Sequence, residues 1–91
     1  MAVKVKLPTQ LRAAAGGDGE VSVEGSTVGD ALDALYAVHP DLKERIADED
    51  GTLRRFVNVY LDGDDIRFGE GLATPVKDGA QLQILPAVAG G

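Results

Sequence analysis

The feature that most constrains the fold is a change in hydrophobic period near residue 25. Before it, apolar residues alternate with polar ones over 2–7 and 20–24, which is typical of strands with one buried face. After it, apolar residues recur three and four positions apart, which predicts a helix over 28–38. Two strands followed by a helix predict a sheet that is covered on one face by that helix.

The predicted helix has clear signals at both ends. Thr27 can cap its first turn, and Asp30 completes a pattern similar to a capping box. Pro40 ends it, because the residue before a proline disfavours the helical conformation. Proline also suits the first position of a helix, so we predict a second, short helical segment over 40–47.

Further strands are predicted in the second half of the chain. The run 56–61 is mostly β-branched or aromatic and predicts a central strand. The Asp62-Gly63 pair predicts a hairpin turn into a short return strand over 64–68. The alternating run 81–85 predicts the last strand.

The order of these elements predicts an α+β fold of the β-grasp type. We expect a mixed, four- to five-stranded sheet with one main helix packed on one face. The first and last strands are apolar enough to lie side by side in its middle. Residues 8–19 are predicted to be a loop in a hairpin between the first two strands. The domain is expected to span 1–85, with a flexible C-terminal tail at 86–91.

Charge and composition argue against several function classes. The chain carries 15 acidic and 9 basic side chains and a net charge of −6, whereas nucleic acids and anionic membranes attract basic surfaces. We therefore expect no nucleic-acid and no membrane partner. Cysteine is absent and His39 is the single histidine, so we expect no metal site and no cysteine nucleophile. The N-terminus has no apolar signal segment, which favours a cytoplasmic protein.

The C-terminal tail is the segment that points to a function. It reads Pro-Ala-Val-Ala-Gly-Gly, and it is apolar and slim, whereas disordered segments are usually polar. Pro86 is expected to end the last strand because it cannot donate to a ladder. Gly90 and Gly91 lack a Cβ, so their backbone can pass through a narrow channel. Six extended residues reach roughly 20 Å, enough to carry the terminal carboxylate into a site on another protein.

The chain resembles the ubiquitin-like sulfur carrier proteins of the ThiS/MoaD family. Among them it is most similar to the actinobacterial carriers of the CysO type, which serve cysteine biosynthesis. The resemblance covers nearly the whole chain. It rests on the blocks 55–60 (RFVNVY), 65–68 (DIRF), 71–75 (GLATP) with Asp78-Gly79, and 84–91 (ILPAVAGG), of which the last is the most specific.

The resemblance implies a carrier that is not itself an enzyme and has no bound cofactor. An E1-like adenylyltransferase/sulfurtransferase would use ATP to adenylate the Gly91 carboxylate. A sulfur donor would then displace AMP and leave a thiocarboxylate on Gly91. A sulfur-accepting synthase, of the cysteine synthase or thiosugar synthase type, would take the sulfur. In the cysteine branch a metallopeptidase would release the product.

The remaining tail residues and the adjoining sheet face are candidates for partner binding. The tail would bind its partner as an extended strand, main chain to main chain. The residues that would give access and bind are Pro86, Ala87, Val88, Ala89 and Gly90. Phe56 and Arg67 are candidates for the docking surface. Arg54, Arg55 and Arg67 are also candidates for a shared basic patch around the strand at 56–61.

Two other functions remain open from the sequence. The chain could be a ubiquitin-like modifier that is joined through Gly91 to lysines of other proteins. It could also be the small subunit of a complex similar to molybdopterin synthase. The residues leave open the sulfur donor, the activating enzyme and the sulfur acceptor.

Overall fold

The computed structural model describes residues 1–48, 53–54 and 57–86. The strands and α-helices in these ranges are β1 (Ala2–Lys6), α1 (Thr9–Arg12), β2 (Glu20–Glu24), α2 (Val28–Val38), α3 (Pro40–Ile46), β3 (Val57–Leu61), β4 (Asp64–Asp65) and β5 (Ala80–Pro86). Short 3₁₀ helices lie at Ala13–Ala15, Ile66–Phe68 and Gly71–Ala73.

The strands form one mixed sheet in the order β2-β1-β5-β3-β4. β1 and β5 are parallel neighbours in its middle, and the other neighbouring pairs are antiparallel. The first and last strands therefore lie side by side as predicted. The β-grasp arrangement, a mixed sheet with helices on one face, is confirmed.

The alternation in the strands divides the sheet into a buried and an exposed face. In β1, Val3 and Val5 are fully buried while Lys4 and Lys6 are exposed. The helices cover the buried face, because the periodic apolar residues of α2 and α3 point toward it. The residues that α2 and α3 bury are Val28, Ala31, Leu32, Leu35, Leu42 and Ile46.

The predicted helix boundaries are confirmed at α2 and nearly so at α3. The Thr27 hydroxyl oxygen accepts a hydrogen bond from the Asp30 amide at 3.1 Å, which caps the first turn of α2. Pro40 occupies the first turn of α3, and that helix ends at Ile46, one residue before the predicted boundary of 40–47.

The expectation of a loop over 8–19 is wrong. This connection contains α1 and a 3₁₀ helix, because Leu11 and Ala15 are buried against the core and anchor one side of a short helical stretch. Gly16 ends it in the left-handed conformation at φ 69°. β1 and β2 still pair antiparallel, so the strand pairing was predicted although the connection was not.

Two expectations about the β3 region are also wrong. The return strand ends at Asp65 instead of residue 68, because the Asp65 carboxylate accepts from the Arg67 amide at 2.9 Å and starts a 3₁₀ turn. β3 is not the central strand, a place taken by β5. A strand rich in β-formers fits either position, since β-propensity does not say which strand lies beside it.

No helix among 1–48, 53–54 and 57–86 has the length and apolar character needed to cross a membrane.

Candidate functional site

The candidate site begins where β5 leaves the sheet. Pro86 is the last residue of β5, and its register partner on β3 is Val57. The Asp62 amide donates to the Gln81 carbonyl at 2.9 Å, which marks that pair as hydrogen-bonded. Because such pairs alternate along an antiparallel ladder, Val57 and Pro86 form a non-hydrogen-bonded pair. The missing N–H of Pro86 therefore removes no hydrogen bond between β5 and β3. β5 runs one residue beyond the predicted end at 85.

The Arg67 side chain forms a hydrogen bond with the outer edge of β3 at this point. By the same alternation the Val57 carbonyl faces away from β5, and it accepts a hydrogen bond from Arg67 Nη2 at 3.1 Å. β4 pairs with Tyr60 and Leu61 and stops short of Val57. Arg67 thus takes the place of a neighbouring strand for one carbonyl, although the residue as a whole is exposed. A contact between Arg67 and a partner stays a prediction.

The structure describes two of the three arginines that were predicted to form a basic patch. The Arg54 carbonyl accepts from the Val57 amide at 3.0 Å, so Arg54 and Arg67 both meet the start of β3. The Arg54 side chain, however, is directed to α3, where its Nε donates to the Glu44 carbonyl at 2.7 Å. Arg55 lies outside the described residues.

A groove of about 800 Å³ opens on the side of β5 that faces β1. It is lined by Lys6, Leu7, Pro8, Thr9, Gln10, Arg12, Gly19, Glu20, Gln83, Ile84 and Leu85. Arg12 Nε donates to the Leu7 carbonyl at 3.3 Å, which ties α1 to the end of β1. Leu85, 37% exposed, brings an apolar surface to the groove directly before Pro86. The sequence did not indicate this groove because its wall, α1, was expected to be a loop.

The residues predicted to carry the chemistry lie outside the described ranges. These are Ala87, Val88, Ala89, Gly90 and Gly91 of the tail, together with Phe56 of the docking surface. Their assigned roles stay predictions. The structure instead describes the point from which the tail starts, at Pro86, and the contacts that hold that point in place.

The described residues include a phenol with a shifted pKa. Burial raises the pKa of Tyr36 on α2 to about 12, and the negative charge of Asp33 acts in the same direction. Tyr36 does not line the groove beside β5. In the part of the chain that the structure describes, no cluster of three or more metal-ligating side chains is present.

Comparison with known proteins decides the family. The model of the ThiS family matches residues 5–91. The chain belongs to the ThiS family. The resemblance that the sequence blocks indicated is thereby confirmed.

Relatives of this ThiS-family chain include carriers and modifiers. The sulfur carrier protein CysO of Mycobacterium tuberculosis is 46% identical over 93 aligned positions, which cover 100% of both chains. The small archaeal modifier protein 1 of Haloferax volcanii is 43% identical over 72 positions, which cover 78% of each chain. A chain in the crystal structure of the Amycolatopsis orientalis BexX/CysO complex superposes with a TM-score of 0.90 and 46% identity, covering 98% of this chain and 99% of that one.

Proposed function

We propose that this ThiS-family chain is a sulfur carrier protein that delivers sulfur from its C-terminus at Gly91, in the biosynthesis of cysteine or another sulfur-containing metabolite. The observation that carries the proposal is the 46% identity to CysO over the full length of both chains. The chain acts as a protein co-substrate. The catalytic groups belong to the enzymes that it meets.

The first step of the proposed chemistry activates the terminal carboxylate. The carboxylate is ionised at neutral pH. In an E1-like adenylyltransferase, an oxygen of the Gly91 carboxylate attacks the α-phosphate of ATP, and pyrophosphate leaves. Hydrosulfide from a sulfur donor then attacks the carbonyl carbon of the acyl-adenylate. AMP leaves, a proton is released, and a thiocarboxylate remains on Gly91.

The second step transfers the sulfur. On a sulfur-accepting synthase, the thiocarboxylate sulfur attacks the acceptor carbon and displaces its activating group. In the cysteine branch the acceptor is an activated serine, the amino acid becomes linked to the carrier's C-terminus, and a metallopeptidase releases it by hydrolysis. A thiosugar synthase would offer a sugar carbon instead, and hydrolysis of the resulting thioester would leave the sulfur on the sugar and return the carboxylate of the carrier. The complex of a CysO chain with BexX supports a protein partner that docks on this fold.

The described part of the chain supplies a fixed starting point for the tail. Pro86 is paired with Val57, and Val57 is held on its outer side by the Arg67 guanidinium at 3.1 Å. A tail that starts from a rigid strand loses less conformational freedom when it enters a partner's active site. The side chains of the tail are small, so the backbone itself supplies most of the contact.

Intact-mass spectrometry tests the proposal. The chain is incubated with an E1-like enzyme, ATP and a sulfide source, and we expect a mass increase equal to the exchange of one oxygen for sulfur. The matched control is the chain without Gly91, which should show no increase while its circular dichroism spectrum stays unchanged. Sulfur loading of that shortened chain would contradict the proposed attachment site.

The same experiment separates the carrier from the modifier. The similarity to small archaeal modifier protein 1 is the observation that favours conjugation through Gly91. Both functions use an adenylated tail, so the activating step does not distinguish them. A ladder of larger adducts on lysine-bearing proteins, with no thiocarboxylate, would favour the modifier. A stable complex with a single large subunit on gel filtration would favour the molybdopterin-synthase type.

A further inference from the structure

An exposed aromatic ring lies on the turn that follows β4. The Phe68 side chain is 92% exposed, more than the other large apolar side chains on the described surface, which are Met1, Val38 and Leu85. Aromatic rings are concentrated in the cores of protein interfaces, where they contribute much of the binding free energy. A phenylalanine left almost completely in water is therefore a candidate anchor for a partner.

The turn holds the backbone of Phe68 in a defined place. Before Phe68, the side chain of Ile66 is buried in the core, and the Arg67 amide donates to the Asp65 carboxylate at 2.9 Å. After it, the Gly69 amide donates to the Ile66 carbonyl at 3.0 Å. The backbone on both sides of the ring is thus fixed. A pre-ordered anchor loses little conformational entropy on binding.

The surroundings of the ring indicate the chemistry of the partner. A hollow of about 360 Å³ lies beside Phe68 and is lined also by Leu61, Asp64, Asp65, Gly69 and Thr74. Asp64 is exposed, as is the nearby Glu70. An apolar ring with carboxylates around it is complementary to an apolar pocket with lysine or arginine residues at its rim.

The ring follows the side chain that holds the strand next to the start of the tail. Phe68 follows Arg67, whose guanidinium contacts the Val57 carbonyl, and Val57 is the register partner of Pro86. A protein that receives the tail and extends across β3 to the turn after β4 meets this ring. The two contacts would reinforce each other, because engagement of one holds the other at high effective concentration.

We propose that Phe68 is a second anchor for the protein that receives the tail, and that its ring enters an apolar pocket with a basic rim on that protein. The proposal rests on the proposed function, since it takes the tail to be bound by a partner. It assigns a role to a residue that the sequence analysis did not select. The signal available there was Asp65, which favours a turn.

BexX of Amycolatopsis orientalis is a suitable probe, because a CysO chain similar to this one forms a complex with it. We expect the chain to bind BexX in a calorimetric titration. Phe68→Ala should raise the dissociation constant roughly 10-fold or more, as for other aromatic anchors. Val38→Ala is the matched control, since Val38 is an exposed apolar residue on α2 at 58% exposure. Its dissociation constant should stay within about 2-fold of the wild type.

Charge provides an independent readout. Asp64→Asn should weaken binding and reduce its dependence on salt, because one attraction to the basic rim is lost. Equal affinity of the wild type and Phe68→Ala would overturn the proposal, as would a failure of the wild type to bind BexX. Phe68 is exposed, so its variant should keep the wild-type melting temperature, and a lost contact can be told from unfolding.

A chain that lacks residues 87–91 separates this inference from the proposed function. We expect its affinity for BexX to fall as well, because both anchors serve one partner. Unchanged affinity of the shortened chain, beside weakened binding of Phe68→Ala, would overturn the claim that the two anchors serve one partner. Sulfur loading of Gly91 is measured separately by mass, so failure of the carrier chemistry is distinguishable from failure of the anchor.

Discussion

Replacing Arg67 with alanine tests how the start of β3 is held. The substitution removes the 3.1 Å hydrogen bond from Nη2 to the Val57 carbonyl. Val57 is 4% exposed, so its carbonyl is left with little access to water until the edge relaxes. A typical hydrogen bond contributes about 0.5–1.5 kcal/mol, and an unsatisfied buried acceptor costs about 1–3 kcal/mol. Because Arg67 is an exposed residue and its hydrogen bond is only part-buried, we expect a loss of about 1 kcal/mol in the free energy of unfolding.

Urea unfolding followed by circular dichroism measures this loss. For a domain of this size, 1 kcal/mol corresponds to a fall of roughly 4–8 °C in the melting temperature. Arg67→Lys should recover part of the stability, since a lysine can still donate to the carbonyl. Arg45→Ala, at an exposed position in the last turn of α3, is the matched loss of one positive charge and should change stability by less than about 0.5 kcal/mol.

Hydrogen exchange shows whether the loss arises at the predicted place. In Arg67→Ala the amide of Leu85, which precedes Pro86 at the end of β5, should exchange faster, while the amides where β1 pairs with β2 keep their protection. An Arg67→Ala chain with wild-type stability and wild-type exchange at β5 would refute the role that we assign to this side chain.

Three further outcomes are expected. Deletion of Gly91 should abolish sulfur loading, measured by intact mass, and leave the melting temperature unchanged, because the residue lies beyond the last strand; a lower melting temperature would show that it also serves the fold. Tyr36 has a pKa raised to about 12 by burial, so the folded state keeps a proton that the unfolded state releases above its ordinary value of about 10. Its contribution is complete below pH 10 and is lost as the pH rises toward 12, and this decrease should be absent in Tyr36→Phe. Leu35 is fully buried, and Leu35→Ala should lower the free energy of unfolding by about 3 kcal/mol in a denaturant titration. A much smaller loss would show that the neighbouring side chains fill the cavity.

The parts of the fold that the sequence predicted are those with strong local signals. α2 combines a capping threonine, a helical apolar period and a proline stop, and its bounds were predicted residue for residue. β1 and β2 each show two full cycles of alternation. α1 has four residues and a single buried one, Leu11, which is too short for a period to be recognised.

The predictions about the site also depended on whether the signal was local. The tail stays a prediction, drawn from a composition and a position after the last predicted strand that are both encoded locally. The roles of Arg67 and Pro86 depend on which pairs of the β3–β5 ladder are hydrogen-bonded, and one residue of register would reverse both. The groove beside Leu85 depends on α1 and was therefore missed with it.

The two prolines at this end of the sheet have a consequence for self-association. β1 ends at Lys6 and is followed by Pro8, while Pro86 ends β5 beside it. The imide nitrogen of Pro86 faces the side of β5 on which β1 has already ended. Any other residue at this position would present an unpaired N–H there, to which a strand of another molecule could bind. Unpaired strand edges act as templates for aggregation, and proline removes the donor that such pairing needs. The end of β5 can thus carry an apolar segment without offering a matching edge to a second copy of the same chain.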